Sequence, residues 1–298
     1  MTQPASPVLV TGATGHTGRA VAEALSRRGT SVRAMVRAET DRDRLPAGVQ
    51  PVVADFDDPA SIAAALHGAR RAYLVTPSSE RAEAQQRRFA DLAVQAGVGH
   101  LVVLSQLGAD EQSPVRFLRY HAAVERHIRD LGIAYTFQRP NLFFQGLLAF
   151  AATIAADGRF YAPIGDATIS AVDVRDIAAV GAAALTEAGH DGATYNLTGP
   201  APITHAEIAA ALTSALGRDT TFIDVPPDVF AESLQGILPP WQIQGLLEDY
   251  AHYRRGEAAS VSPAVAEITG RPAIDVKQFA RDYAPAFAVQ AQQRADSS

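Results

Sequence analysis

Cysteine is absent from the 298 residues, and with it go disulfides, thiolate zinc sites, iron–sulfur ligation and any cysteine nucleophile. Lysine is nearly absent. Lys277 is the single one, which excludes a Walker-type loop or a Schiff base in the middle of the chain. No run of about 18 apolar residues occurs, and residues 1–7 carry neither a charged n-region nor an apolar h-region. Both point to a cytoplasmic protein without membrane contact. There is no Gly-x-Ser-x-Gly elbow to supply a hydrolase nucleophile. His100, His190, His205 and His252 are scattered with no ligand spacing, so no metal is expected. Basic residues are outnumbered, 26 against 32, which argues against nucleic acid as a partner, because binding to a phosphate backbone needs clustered Lys and Arg.

What is present is an ordinary globular composition, 47% hydrophobic and 19% charged, on a length that suits one large domain or two modest ones. Short apolar runs at 7–10, 31–37, 50–54, 72–75, 101–104 and 134–138 alternate with amphipathic stretches at 17–28, 58–66, 80–95 and 114–130. That alternation predicts an α/β fold, a Rossmann-type doubly wound parallel sheet with helices on both faces. Gly29 stands where the first helix should stop, and Asp58-Pro59 is a cap followed by a first-turn proline. Beyond Pro140 the rhythm loosens. Apolar helices are expected over 141–156 and 176–188, and a strand returning to the sheet over 193–197. Thr204 and Glu207 have the form of a capping box opening a helix through Leu216. Pro226-Pro227 and Pro239-Pro240 bracket short helices, Asp275 caps a last one over 274–283, and a polar, frayed tail follows Phe287. The predicted division is a nucleotide-binding domain over 1–140 and a smaller, mostly helical substrate and cap region over 141–298, some of whose segments rejoin the main sheet.

Gly12, Gly15 and Gly18, in Thr-Gly-Ala-Thr-Gly-His-Thr-Gly, lie between the first strand and the first helix. In that context glycines allow a tight turn, a close backbone approach to a pyrophosphate and near contact of helix and sheet, while the helix N-terminus offers free N–H groups. The loop residues Gly12, Thr14, Gly15, His16, Thr17 and Gly18 are therefore candidate dinucleotide contacts. Where an NAD site carries a carboxylate at the end of the second strand, this chain has Arg37. A guanidinium forks onto a phosphate and not onto a diol, so the cofactor expected is NADP(H). Asp55-Phe56 and Thr76-Pro77 follow the third and fourth strands, at carboxyl ends where ligands sit in open α/β sheets. They are candidates for flanking the adenine and for meeting phosphate or ribose; Asp55 reads equally as a loop cap.

The glycine loop, the basic residue after the second strand and the run from Tyr120 to Pro140 together resemble the NmrA-like group of atypical short-chain dehydrogenase/reductases. That group includes type-2 NADPH:quinone oxidoreductases, triphenylmethane dye reductases, azoreductase-like proteins and redox-sensing regulators. Better-known members of the superfamily use a Tyr-x-x-x-Lys relay; here Tyr120 is followed four residues later by Val124. The resemblance puts His121 in the place of the group's helix lysine or histidine, as a ribose contact or as a proton donor near neutral pH, with Glu125 one turn on. An ordinary His–Glu pair is the alternative. By the same resemblance Ser105 stands near a catalytic hydroxyl, beside Gln106, and Asn141 lines the nicotinamide. Phe143 and Phe144 read either as an aromatic wall for a planar acceptor or as core. The stretch 226–253, with Trp241 and Tyr253, is expected to cover the pocket.

These residues imply a reductase handing hydride from NADPH to a conjugated, electron-poor small molecule such as a quinone, azo compound or dye, whose reduced form takes protons from water. The rival is a non-catalytic NADP(H) sensor acting through a protein partner; an isomerase or epimerase on a sugar nucleotide fits less well without the relay. A homodimer is compatible with either leading reading.

Overall fold

The computed structural model describes residues 6–288; the readings for residues 1–5 and for the tail beyond 288 lie outside the described residues. In chain order the strands are β1 (Val8–Val10), β2 (Val32–Val36), β3 (Gln50–Val53), β4 (Arg71–Leu74), β5 (His100–Leu104), β6 (Ala134–Pro140), β7 (Arg159–Ala162), β8 (Ala193–Leu197) and β9 (Thr221–Asp224). The helices are α1 (His16–Arg27), α2 (Pro59–Leu66), α3 (Ala82–Gln95), α4 (Arg116–Asp130), α5 (Ala151–Asp157), α6 (Val174–Thr186), α7 (His205–Leu216), α8 (Pro227–Ser233), α9 (Pro240–Arg254), α10 (Ala264–Thr269) and α11 (Val276–Ala288).

Seven strands form one sheet in the order β3-β2-β1-β4-β5-β6-β8, and every pairing in it is parallel. A parallel sheet must be covered on both faces, and the period-2 alternation of β1 shows how. Leu9 joins Ile62, Leu66, Phe89, Val124, Ile128 and Phe137 under α2, α3 and α4. Val8 and Val10 point the other way, to Val21, Leu25, Ala178 and Ala182 of α1 and α6. The chain runs outward from β1 to β3, then returns to β4 and proceeds the other way, so the order reverses between β1 and β4. In such sheets the crevice beyond the carboxyl ends at that reversal is where ligands bind. Thr11 pins this crevice: its hydroxyl accepts from Val75 N at 2.8 Å.

The second half departs from the sequence pattern at several points. The predicted strand over 193–197 is β8, and it closes the sheet beside β6. The single helix expected over 141–156 does not form. Phe143 bridges to Val172, a 3₁₀ turn follows over Phe144–Phe150, and only then does α5 begin. Tertiary bonds override the local pattern here: Phe144 N donates to Val172 O at 3.0 Å, and Gln145 Oε1 accepts from Val174 N at 3.0 Å. The expected helix over 176–188 starts earlier, at Val174, because Asp173 caps it by accepting from Arg175 N at 2.8 Å. Strands β7 and β9, unforeseen, make a two-stranded parallel sheet whose Phe160 and Phe222 pack within a second core. Helix α10 was also unforeseen, and α11 runs past Tyr283 through Pro285. Among the described residues no helix is long and apolar enough to cross a membrane.

Helix α9 brings the late part of the chain to the crevice. It starts on Pro240, the second proline of its pair, where the missing N–H costs nothing. Arg116 of α4 clamps it, donating from Nη2 to Glu248 Oε1 at 2.6 Å and from Nη1 to Trp241 O at 3.1 Å. This pair hangs α9 over the carboxyl ends of β5 and β6.

Candidate active site

A cavity of about 820 Å³ opens at the β1–β4 reversal. Its floor is the glycine loop. Gly12 turns with φ +60°, a left-handed conformation that costs other residues roughly 1–2 kcal/mol. Gly18 lies so close to the strand end that a Cβ there would sit 2.4 Å from Gly12 O. Gly15 is the cap residue of α1 and provides no side-chain cap bond, so the N–H groups of His16, Thr17 and Gly18 are left without intrahelical acceptors at the cavity floor.

Thr14, Gly15, His16, Thr17, Thr76, Pro77, Ser105, Gln106, His121, Asn141 and Phe143 all line this cavity with Gly12 and Gly18. Arg37, Asp55 and Phe56 lie outside its wall. Arg37 is exposed beyond β2 and forms no ion pair among the described residues, whereas neighbouring Arg42 and Arg44 pair with Glu39 and Asp41. Asp55 accepts from Asp57 N at 2.8 Å, and Phe56 leans on the core ring of Phe89 at 5.9 Å. Two pocket assignments are corrected. Phe144 is buried against Phe279, ring centroids 5.2 Å apart, because the 3₁₀ turn points it into the second core. Trp241 sits behind the wall against Phe117, ring centroids 5.3 Å apart and planes tilted by 53°, under the Arg116 guanidinium.

The polar groups at the centre are held in ways the spacing did not reveal. Glu125 does not pair with His121. It is fully buried and accepts from Ser105 Oγ at 2.6 Å, from Arg139 Nη2 at 2.6 Å and from Arg129 Nη2 at 3.0 Å. The single hydroxyl proton of Ser105 is thereby committed to Glu125 and not aimed at a ligand. Glu125→Gln should therefore cost about 2 kcal/mol, the usual worth of a charge-assisted bond lost from such a hub. Urea unfolding would measure it, and an unchanged midpoint would show that the charge contributes nothing. Burial, reinforced by the Arg139 guanidinium, pushes the His121 pKa down to about 3. His121 is thus a neutral imidazole and not a proton reservoir near neutral pH, and its buried Nδ1 has no partner. The Asn141 amide is also spoken for: Nδ2 donates to Ser170 Oγ and Ala258 O, both at 2.8 Å, and Oδ1 accepts from Leu142 N. It shapes the wall through the backbone.

The NmrA-like family model matches residues 4–270 of the chain. The chain belongs to the NmrA-like family. Among its relatives, the NAD(P)H azoreductase of Xenophilus azovorans is 34% identical over 282 residues, covering 94% of this chain and 99% of that one. The (4-alkanoyl-5-oxo-2,5-dihydrofuran-3-yl)methyl phosphate reductase of Streptomyces griseus is 38% identical over the same shares. The solved NADPH complex of the quinone oxidoreductase QOR2 from Escherichia coli superposes with a TM-score of 0.82 at 28% identity, over 92% of this chain and 99% of that one.

On this NmrA-like scaffold several lining residues escaped sequence reading. Gln86 of α3 donates to Thr76 Oγ1 at 2.7 Å and leaves Oε1 buried without a partner. Tyr120, noticed only for its missing lysine, lines the cavity beside Ser78. Asp249 reaches the wall from α9 beside Tyr253, which the sequence placed over the pocket. The available signal was the spacing of Asp249, Tyr250 and Tyr253, which puts an acid and an aromatic ring on one helical face four residues apart.

Proposed function

We propose that the protein is an NADPH-dependent reductase that passes hydride to an uncharged, conjugated, electron-poor small molecule of the quinone, azo or dye type. The observation that carries this reading is the lining of the cavity, in which the glycine loop faces a largely apolar wall. Burial makes His121 neutral, lifts the Tyr120 phenol to about 12 and holds the Tyr253 phenol neutral as well. With Phe117, Phe143, Leu142 and Leu246 in the same wall, the space suits a flat apolar molecule with a few polar edges.

The residues present fit a dinucleotide. Gly18, with no room for a Cβ, and the free N–H groups of α1 form a pyrophosphate cradle. In this reading Thr14, Thr17, Thr76 and Pro77 follow the phosphates and ribose, Arg37 takes the adenosine 2′-phosphate, and Asp55 and Phe56 flank the adenine. His121 and the backbone at Asn141 face the nicotinamide ribose. The nicotinamide, when bound, supplies the hydride; the chain orients it and keeps the cavity dry. Residues 1–140 carry the nucleotide, and the chain after residue 140 completes the acceptor wall. No Tyr-x-x-x-Lys relay takes part, since Lys277 lies on α11 in a separate groove.

Arg37→Ala should weaken NADPH binding about tenfold or more, the worth of a charge-assisted phosphate contact, and leave NADH binding unchanged. Calorimetry with both nucleotides tests this, and equal affinity of the parent for the two would refute the assignment. NADPH oxidation against a panel of quinones and azo dyes tests the activity. Tight NADPH binding without turnover on any acceptor would make the protein a nucleotide sensor instead.

A further inference from the structure

Asp249 is an acid with no place in the nucleotide site, yet it faces the same cavity. It is 7% exposed and sits on α9, whose position is set by the Arg116–Glu248 clamp. Both of its oxygens accept from Gln106 Nε2 at 3.0 Å. No cation contacts it among the described residues. The single amide group fixes the plane of the carboxyl and leaves each oxygen capacity for one more partner. Gln106 follows Ser105 at the end of β5, so the carboxyl stands across the cavity from the glycine loop.

We propose that Asp249 is the catalytic acid of the reduction, donating a hydrogen bond from its neutral carboxyl to the acceptor's oxygen or nitrogen and then delivering that proton. The inference rests on the reductase reading above. Hydride brings two electrons and one hydrogen to the conjugated system, and the charge that develops moves to the heteroatom. There a new O–H or N–H bond forms as the Asp249 O–H bond breaks. NADP⁺ and a carboxylate remain, and the carboxylate regains its proton from water through the cavity mouth.

The groups facing Asp249 support this state. Desolvation is the main influence and, with Glu248 adding to it against the opposing bond from Gln106, lifts the carboxyl to about 7. Glu248, its neighbour, stays ionised in its pair with Arg116. Tyr250 and Tyr253 on the same helix and Tyr120 from α4 are buried phenols that stay protonated. A general acid works best when its pKa lies close to the working pH. His121 holds no spare proton there, and the phenols hold theirs too tightly.

Asp249→Asn keeps the shape and can still accept from Gln106, so it should fold. In the acceptor assay its kcat should fall about tenfold or more, the low end of general-acid effects after allowing for water as a substitute donor, with KM nearly unchanged. The parent's loss of kcat as pH rises through about 7 should vanish in this variant. Gln106→Leu should move that loss to higher pH, because it removes the bond that favours the carboxylate. A readout independent of turnover is the infrared carbonyl stretch of a protonated carboxylic acid. It should titrate near neutrality in the nucleotide-free parent and be missing from Asp249→Asn. Parent-like kcat and pH profile in Asp249→Asn, or no carboxylic acid band below neutrality, would overturn the acid role while leaving the reductase intact. A parent that oxidises no NADPH with any acceptor would remove the reductase reading, and the acid role with it.

Discussion

Asp249→Asn should be more stable than the parent above about pH 8 and no different near pH 4. The carboxyl is ionised in the unfolded chain from its ordinary value of 3.8 upward, but in the folded protein only above about 7. Between those limits the folded state binds more protons, so the parent loses stability as pH rises through the window, and the full penalty is present above it. A displacement of this size corresponds to an upper bound of roughly 4 kcal/mol, reduced by whatever water reaches the cavity. Asparagine has no charged form to desolvate and escapes the penalty. Denaturant midpoints of both proteins at the two pH values test the claim. A gap between them that does not change with pH would mean that the substitution acts through packing and not through ionisation.

Gly18→Ala is the other large expected effect. The added methyl would meet Gly12 O at 2.4 Å and both Gly12 C and Thr11 O at 2.5 Å. These are backbone atoms and cannot rotate aside, so α1 must slide away from the end of β1. Overpacking of this kind costs about 1–3 kcal/mol. The slide also withdraws the N–H groups of His16, Thr17 and Gly18 from the anion, and a misplacement of about 1 Å is enough for roughly a hundredfold loss. We expect NADPH affinity to fall by about that factor, with a lower melting temperature. Gly99→Ala is the internal control, since it lies away from the cavity and its nearest neighbour would be Arg70 O at 3.6 Å. Parent-like NADPH affinity in Gly18→Ala would contradict the close approach, and an equal loss in Gly99→Ala would show that the protein is merely fragile.

The first half of the fold was legible because each of its elements reports on itself. Apolar runs buried on both faces, a proline after Asp58 and a glycine after α1 all act locally, and they marked the strands and helices to within a few residues. The glycine loop was legible for the same reason, as its function follows from backbone geometry in a stated context. After residue 140 the decisive interactions join distant residues. Gln145 bonds to the start of α6 and so breaks a helix that its own neighbours favour. The short strands β7 and β9 exist only as each other's partner, paired from Arg159 with Thr221 to Ala162 with Asp224. The polar centre was misread through the same limitation. Helical spacing put Glu125 beside His121, but Arg139, from the following strand, claims the carboxylate. Asp249 was passed over because an aspartate four residues before a tyrosine on a helix is ordinary until its surroundings are known.

Two consecutive residues of α9 meet different environments, Glu248 gripping a guanidinium at the rim and Asp249 turned inward. The glycine loop and α9 are thus encoded more than two hundred positions apart and line one cavity. Mutation can rewrite one without disturbing the other. Under the reductase proposal, side chains of α9 are a place where acceptor preference would change while the glycine loop stays as it is.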